Sequence, residues 1–449
     1  MPKKDSFFAD FATYSNLIKL AFPIILANAS APLLGLVDTA VIGQMGETVD
    51  LAAIALAALI FSFVYWAFSF LRMSTTGFVS QAVGAENTTE LHALIFRTLI
   101  LGLVIGICLI VLQKPIQSVA TYFLSASPEV NARVKEYFYI RIWGAPATLI
   151  TYALMGTIIG LGWTKQVLII QLILNGLNMF LNIIFVLFFA MGVKGIALGT
   201  LIAEWVTVAY ALYLVINKLE LQRLWTRFKE LSAEIFDKEK SKALFIVNGD
   251  IMIRTLALLG GFAWFARQGA IFGDATLAAN HILLQFISMA AYFLDGFANV
   301  TEMIAGQAYG ARKRERFIRA VTDNTVVAAV SALLLSLLLW VFGSLFIQAL
   351  TPDPELQSIA NQHKLFAVFY IFISFVTFQL DGIFVGVTKS KAMRNSTVIG
   401  LLSMVATGYL LITPLANAGL WLALIVFVIS RGLVLMVYYP SILKSVTWR

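Results

Sequence analysis

Five carboxylic acids lie inside long apolar stretches of this 449-residue chain, where an acidic side chain is costly and is a candidate for function by default. They are Asp38, Glu204, Asp295, Glu302 and Asp381. Asp38 has apolar neighbours on nearly every side, in the segment from Pro32 to Gly43. Burial disfavours the charged form of a carboxyl group, so a proton gradient can change the ionisation of Asp38. We interpret Asp38 as a proton-coupling residue, with a structural, hydrogen-bonded acid as the alternative.

Three asparagines form the second polar feature. Asn175, Asn178 and Asn182 fall mostly on one face of a predicted helix, and Asn178 and Asn182 are one turn apart. Amide groups at membrane depth need hydrogen-bond partners, and Asp38 is one that the sequence offers. We therefore interpret the three amides as part of a polar site. The alternative is that they only hold neighbouring helices together.

A possible ion pair lies in the second half of the chain. Asp250 and Arg254 stand at positions i and i+4 of a predicted helix, a spacing at which opposite charges face each other. We expect these two side chains to pair with each other and to have a structural role. The remaining arginines near the predicted helices have no assigned role: Arg72, Arg141, Arg267 and Arg431.

The elements that carry these residues are membrane spans. Of the residues, 60% are hydrophobic and 12% are charged, against about 25% charged in soluble domains. Apolar runs long enough to cross a bilayer recur along the whole chain. They predict an all-α membrane protein of twelve spans, at about 15–43, 51–82, 93–113, 134–162, 166–190, 195–217, 243–267, 277–306, 318–349, 362–387, 397–417 and 419–438.

An internal repeat organises these spans. Many residue types recur 226 positions apart, as Gly35 and Gly261 do, and the offset does not slip. The repeat predicts two homologous six-helix lobes, an architecture in which secondary transporters place a binding site between the halves. We predict an N-terminal lobe over 1–217, a linker over 218–242 and a C-terminal lobe over 243–449. The five acids do not recur as acids where the offset applies, so they are additions to the shared scaffold.

The distribution of basic residues predicts the orientation. Lysine and arginine concentrate in loops on one face, including the linker and the segment after residue 311, and such loops face the cytoplasm. Both termini are therefore expected in the cytoplasm. The linker alternates apolar and charged residues, which is typical of a helix at the membrane surface; a solvated linker is the alternative. The formal net charge of +8 indicates anionic headgroups as the partner, and we expect no binding of nucleic acid.

No enzyme signature is present. The sequence lacks the His-Glu-x-x-His zinc motif and the glycine-rich phosphate loop that would indicate ATP. The expected energy source is therefore an ion gradient. We expect no enzymatic activity, no cofactor and a monomeric transporter.

The chain resembles the multidrug and toxin extrusion (MATE) family, specifically its DinF-like bacterial branch. The resemblance covers essentially the whole chain. Six segments carry it: Pro32–Gly43, Phe70–Gly77, Gly306–Ala311, Leu380–Gly386, Met393–Ser396 and Leu420–Leu424. It implies a V-shaped pair of six-helix lobes in the bacterial inner membrane, which exports cationic or amphipathic drugs in exchange for protons or sodium.

The resemblance also implies residue roles. In this branch a first-span aspartate is the protonation site and works with a polar pair on the fifth span and a threonine on the sixth, which correspond to Asp38, to Asn178 with Asn182, and to Thr200. Many relatives carry an acid where this chain has Asn182, so a site with two carboxylates is in doubt. Asp381 corresponds to an acid linked to sodium in another branch, which keeps a sodium site open. Asp295 and Glu302 are further candidates in the C-terminal lobe. Two alternatives remain: a sodium-coupled or dual-ion exporter, and a flippase for lipid-linked oligosaccharides with the same fold.

Overall fold

The structure is a computed structural model that describes residues 14–43, 48–124, 127–221 and 224–445. For twelve residues within these segments the description is limited to the backbone: Ala31, Leu33, Leu36, Asp38, Thr39, Ile42, Gly43, Thr48, Phe123, Leu124, Leu224 and Trp225. The elements of the described residues are all helical. The first nine helices are α1 (Tyr14–Gly43), α2 (Thr48–Ala67), α3 (Phe70–Gly84), α4 (Thr88–Val111), α5 (Gln113–Leu124), α6 (Pro128–Arg141), α7 (Ala145–Gly160), α8 (Thr164–Ile183) and α9 (Gly192–Lys218).

The remaining helices lie in the linker and in the second half of the chain. They are α10 (Leu224–Glu230), α11 (Ser232–Ile235), α12 (Lys238–Ile271), α13 (Asp274–Gly310), α14 (Arg314–Leu350), α15 (Pro354–Gly386) and α16 (Ser390–Lys444). In the described residues, ten helical stretches are long and apolar enough to cross a membrane. This finding agrees with a multi-pass membrane protein, while the total of twelve spans stays a prediction.

Two predicted spans are interrupted in the structure, and the long helix α16 contains a break. A 3-10 turn, Ile142–Gly144, joins α6 to α7, and a π-helical turn, Ile184–Phe188, follows α8. Helix α16 contains a break at Ala416, whose backbone has φ 48° and ψ −128°. Pro414 lies two residues earlier and has no N–H to donate to the helix. The break lies close to the predicted boundary between the last two spans.

The chain divides into two compact units. The N unit comprises Leu26–Val79 and Asn87–Leu244, and the C unit comprises the described residues of Met1–Ile25, Ser80–Glu86 and Phe245–Arg449. Each unit has buried aromatic side chains: Phe61 and Phe138 stack at 5.3 Å in the N unit, and Phe265 contacts Trp421 at 5.1 Å in the C unit. The lobe and linker boundaries expected from the sequence stay predictions.

The linker is helical and packs within the N unit. Leu231 and Ile235 are buried against Ala93 of α4. The Arg97 guanidinium, also on α4, donates to the backbone oxygens of Ile235 at 3.1 Å and of Glu234 at 2.6 Å. These bonds occupy carbonyl groups at the end of α11, which have no partner within their own helix. The linker residues around α11 are therefore held in place by α4, which a plain solvated linker would not require.

The glycines of the repeat have equivalent packing. A Cβ atom on Gly156 would overlap the backbone oxygen of Arg72 in the N unit, and a Cβ atom on Gly382 would overlap that of Ala298 in the C unit. Both the glycines and their contacts are 226 positions apart. The same relation holds for a second pair of glycines. A Cβ atom on Gly160 would overlap the backbone oxygen of Thr76, and one on Gly386 would overlap that of Glu302. In each unit, close helix crossing therefore depends on glycine at equivalent positions.

Backbone conformation repeats at the same offset. Glu86 and Arg312 both adopt positive φ, at 55° and 56°, and so do Gly162 and Thr388, at 78° and 53°. This left-handed region favours glycine. Within the C unit, the Gln81 side chain donates to the Gly386 oxygen at 2.9 Å and to the Thr388 hydroxyl at 3.1 Å. Thr388 is thus held by a side-chain hydrogen bond at a position where the equivalent residue is glycine.

Candidate functional site

A chain of buried hydrogen bonds joins α8 to α9 in the N unit. The Asn182 amide donates to Asn178 Oδ1 at 2.6 Å, and the Asn178 amide donates to Thr200 Oγ1 at 3.0 Å. Thr200 in turn donates to the backbone oxygen of Ile196 at 2.9 Å. Asn182 is 0% exposed and Asn178 is 2% exposed. The structure therefore brings together the two amides and the threonine that the sequence resemblance had placed in one site.

The local helix geometry explains this arrangement. Asn178 and Asn182 are one turn apart on α8 and point to the same side. On α9, Gly199 precedes Thr200, and a Cβ atom on Gly199 would overlap the amide oxygen of Asn182. Glycine at position 199 therefore leaves the space in which the Asn182 side chain lies. The Asn182 amide nitrogen, Asn178 and Thr200 are thus bonded to one another across the contact between α8 and α9.

Asn175 has different partners. Its amide donates to Ser30 Oγ on α1 at 2.7 Å, and Ser30 donates to the backbone oxygen of Ala27 at 2.7 Å. The Gln171 amide donates to Asn175 Oδ1 at 3.4 Å. Asn175 thus ties α8 to α1, the helix that carries Asp38.

Asp38 lies two helical turns after Ser30 on α1, since eight residues separate them. Its side chain lies outside the described residues, so the predicted contact between Asp38 and the amides stays a prediction. What the structure does provide is the bond between Ser30 and Asn175, which links the helix of Asp38 to the helix of the amide pair.

A second polar group in the N unit involves two residues that the sequence left without a role. Arg141 at the end of α6 forms an ion pair with Glu204 on α9, at 3.7 Å. It also donates to the Tyr137 hydroxyl at 3.1 Å, and its guanidinium carbon lies 4.6 Å from the ring centre of Phe61. The sequence could not predict this pair because α6 and α9 are distant along the chain.

In the C unit, Asp381 is shared by two arginines. Its Oδ2 atom accepts from Arg254 of α12 at 2.5 Å and from Arg431 of α16 at 2.7 Å. With the carboxylate ionised, this buried group carries a net charge of +1, from two guanidiniums and one acid. Among the described residues, no group of three or more His, Cys, Asp or Glu side chains could hold a metal ion.

The expected pair of Asp250 with Arg254 is wrong. Asp250 instead binds Arg394 at 2.7 Å and accepts from the Ser390 hydroxyl at 2.8 Å, while Arg254 binds Asp381. The i, i+4 rule applies to helix surfaces exposed to water. Here both side chains face other helices, so partners on α15 and α16 replace the partner along α12.

The other two acids of the C unit lie on α13. Asp295 accepts from the Asn299 amide at 3.1 Å, one turn along the same helix. Glu302 is buried, and its backbone oxygen contacts Gly386 of α15. Nearby, Asn324 on α14 donates to the backbone oxygen of Phe297 at 2.7 Å and also to the Thr301 hydroxyl. These bonds connect α13 to α14 and are explained by helix packing.

The sequence of this chain is similar to those of known transporters over nearly its whole length. The family described as MatE matches residues 23–184 and 256–410. The DNA damage-inducible protein F of Escherichia coli strain K12 is 34% identical over 444 residues, which cover 98% of this chain and 95% of the relative. The multidrug resistance protein NorM of Vibrio cholerae is 26% identical over 441 residues, which cover 94% of each chain.

Solved structures show the same fold. The Vibrio cholerae MATE transporter VcmN in its bent form matches with a TM-score of 0.85 at 21% identity, over 98% of this chain and 99% of that one. An outward-facing MATE transporter of the MOP superfamily matches with a TM-score of 0.86 at 16% identity, over 99% of both chains. The fold, the long apolar helices and the family match together define a multi-pass membrane protein. The chain belongs to the MATE family, whose members are transporters and not enzymes.

Proposed function

We propose that this protein is a multidrug exporter that extrudes cationic or amphipathic compounds in exchange for protons, with Asp38 as the coupling residue. Relatives named for multidrug resistance support the substrate class. The observation that carries the proton mechanism is the buried chain from Asn182 through Asn178 to Thr200. It provides polar groups inside an apolar unit, on a helix tied to that of Asp38 through Asn175.

The mechanism follows from the two charge states of Asp38. An amide nitrogen carries two N–H groups, and the bond from Asn178 to Thr200 uses one of them. The other can donate to an ionised Asp38 carboxylate. Once protonated, Asp38 no longer requires such a donor and tolerates a drier, repacked α1. If the drug binds best when Asp38 is ionised, proton binding expels it and the two are exchanged in alternating access.

The surroundings of Asp381 argue against a sodium site at this residue, which favours proton coupling at Asp38. One oxygen of that carboxylate already accepts from two guanidiniums, and the group has a net positive charge. A sodium ion placed there would be repelled by both arginines. A sodium-coupled or dual-ion exporter stays the alternative for Asp38 itself.

The flippase alternative is less well supported. A carrier of pyrophosphate lipids needs several cationic side chains that are available to the ligand. In the part of the chain that the structure describes, Arg97 pairs with Glu90, Arg141 with Glu204, and Arg254 and Arg431 with Asp381. The Arg141 pair is neutral and the Asp381 group keeps a net charge of +1, whereas a pyrophosphate lipid carries several negative charges. The proposal further includes a monomer in the bacterial inner membrane, with both termini in the cytoplasm.

The test replaces Asp38 by asparagine, which keeps the shape of the side chain but cannot exchange a proton. Efflux of a fluorescent cation is measured in proteoliposomes, with a pH gradient and a sodium gradient imposed separately. We expect Asp38→Asn to insert normally and to lose efflux driven by the pH gradient. Asp274→Asn, at an exposed position at the start of α13, is the matched control. Near wild-type efflux by Asp38→Asn at equal protein content would show that the coupling residue lies elsewhere, and efflux driven by sodium alone would favour the sodium alternative.

A further inference from the structure

Four buried polar atoms of the N unit lie around one acid, and none of them makes a hydrogen bond of good geometry to another described residue. They are Glu204 Oε2, Tyr65 OH, Thr148 Oγ1 and Arg141 Nε. Thr148 interacts with both Glu204 and Tyr65, and Arg141 interacts with the same two residues. Buried polar groups are normally paired, so these four atoms retain unused hydrogen-bonding capacity. A proton on Glu204 Oε2 would add a hydrogen-bond donor to this group, because the carboxyl group could then donate to the hydroxyl of Thr148 or of Tyr65.

The charge of Arg141 is stabilised by groups other than Glu204. Its guanidinium carbon lies 4.6 Å from the ring centre of Phe61, 5.9 Å from that of Tyr65 and 5.8 Å from that of Tyr137. Such cation–π contacts stabilise a cation best when water is excluded. In addition, the Tyr137 hydroxyl accepts from Arg141 at 3.1 Å. The ion pair with Glu204 is long, at 3.7 Å. Arg141 therefore keeps stabilising contacts when Glu204 becomes neutral.

Asp381 provides the contrast within the same protein. Its carboxylate binds two guanidiniums at 2.5 and 2.7 Å, so neutralising it would leave two buried positive charges with no counter-ion between them. Neutralising Glu204 leaves one arginine, which is surrounded by rings. Of these two buried acids, Glu204 is the one whose surroundings tolerate a change of charge.

The position of Glu204 connects it with the polar chain. It lies on α9 one turn after Thr200, and both side chains are buried. Gly144, in the turn between α6 and α7, has no side chain where the carboxyl lies: a Cβ atom there would overlap Glu204 Oε2. The carboxyl group thus lies in a space made by glycine, as the Asn182 amide does beside Gly199.

We propose that Glu204 is a second proton-binding carboxyl of the N unit, with Arg141 as its positioning residue. This inference rests on the proposed proton antiport. The carboxylate takes up one proton to form an O–H bond, which donates to Thr148 or Tyr65, and the proton leaves again when that bond breaks on the other side of the cycle. No other bond forms or breaks. Two proton sites, at Asp38 and Glu204, would then drive each transport cycle.

The groups that face Glu204 are few. Arg141 comes from α6, Tyr65 from α2, and Thr148 and Tyr152 from α7. The 3-10 turn and the π-helical turn beside α9 contain no titratable side chain, and α8 contributes only Lys165. Among the described residues, Arg141 is the cation that forms an ion pair with Glu204, and Arg72 is a further cation that acts on the neighbouring Tyr152.

The test combines infrared spectroscopy with transport by the full-length protein. The C=O stretch of protonated carboxyl groups is followed during a pH titration of wild type, Asp38→Asn, Glu204→Gln and Glu136→Gln. Glu136 is a matched control in the same unit, because it is also an acid paired with cations, Arg133 at 3.4 Å and Lys194 at 3.7 Å. We expect Glu204→Gln to lose a titrating band that Asp38→Asn and Glu136→Gln both keep. This band does not depend on drug transport, so the proposed export function and the proton site fail separately.

Transport gives the second readout. With the membrane potential set to zero, each coupled proton contributes a tenfold concentration ratio of substrate per pH unit of gradient. Two protons per cycle give a limit of about 100-fold at one pH unit, and one proton gives about 10-fold. We expect Glu204→Gln to fall from the first value towards the second. An unchanged infrared band, or an unchanged accumulation ratio, overturns the proposal.

Arg141→Lys keeps the test decisive if Glu204→Gln does not fold. Lysine retains the charge but loses the planar guanidinium that stacks on aromatic rings. We expect the Glu204 band to remain in Arg141→Lys and to titrate at a different pH. If its titration is the same as in wild type, Arg141 does not position this carboxyl group and the inference is wrong.

Discussion

Replacing Asp381 by asparagine removes the carboxylate that two buried guanidiniums share. Both Arg254 and Arg431 donate to the same oxygen, and their side chains are 11% and 8% exposed. The substitution raises the net charge of the group from +1 to +2. Breaking a buried ion pair by removing one partner costs about 3–5 kcal/mol. The two guanidiniums, about 5 Å apart, repel each other by about 3 kcal/mol at an effective dielectric constant of about 20. This repulsion is present in both proteins, but only the wild type has a carboxylate whose attraction to both arginines offsets it.

A set of variants separates charge from packing. Arg431→Gln leaves Asp381 with Arg254, a neutral pair, and we expect it to destabilise the protein by about 1–2 kcal/mol. The double variant Asp381→Asn with Arg431→Gln restores the net charge of +1. It should therefore be more stable than Asp381→Asn alone, although it carries one more substitution. Such coupling between neighbouring residues is what a double-mutant cycle measures.

The assay is reversible unfolding in mixed micelles of increasing SDS fraction, followed by the loss of helical circular dichroism. It gives the free energy of unfolding of each variant. The reasoning is refuted if Asp381→Asn lies within about 1 kcal/mol of wild type, or if the double variant is less stable than the single one. Either result would mean that the two arginines do not depend on Asp381 for compensation of their charge.

Three further predictions concern the N unit and the topology. Asn178→Ala should reduce efflux driven by a pH gradient at least tenfold, because it interrupts the hydrogen-bond chain, whereas Asn182→Asp should keep efflux and shift its pH optimum; similar efflux profiles for the two variants would argue against the chain. Gly199→Ala should destabilise the protein by about 1–3 kcal/mol by displacing the Asn182 amide, while Gly249→Ala, with nothing within 4 Å of the added atom, should be neutral in the same unfolding assay. A cysteine at Arg314, in a variant without other cysteines, should not react with an impermeant thiol reagent added outside intact cells; reaction would reverse the proposed orientation.

The sequence predicted the helical elements and part of the site. Hydropathy was sufficient for the long helices, because each must satisfy its backbone within the bilayer. The grouping of Asn178, Asn182 and Thr200 followed from the family resemblance, and in the structure these side chains are bonded to one another; their role in transport stays a prediction. The one-turn spacing of the two amides was visible in the sequence itself.

Contacts between distant helices could not be predicted. Arg141 and Glu204 are 63 positions apart, and no local rule indicates that α6 faces α9. The prediction that Asp250 pairs with Arg254 was wrong for the same reason, because it was made from spacing along one helix and could not include partners on other helices. Next to the break at Ala416, Asn417 exchanges reciprocal amide bonds with Asn280 at 2.8 and 2.9 Å, a contact between residues 137 positions apart that the sequence did not indicate.

The residues of the repeat with positive φ indicate where substitutions can raise the stability of the protein for biochemical work. Glu86, Arg312 and Thr388 each adopt a backbone conformation that costs about 1–2 kcal/mol for a residue with a side chain. Gly162 shows that glycine is accommodated at the position equivalent to Thr388, where the Gln81 bond opposes a change. Glu86 and Arg312 have no such bond from Gln81, and they lie at helix ends remote in sequence from the amide pair. Glycine at these two positions is therefore a rational starting point for stabilised variants suited to purification and spectroscopy.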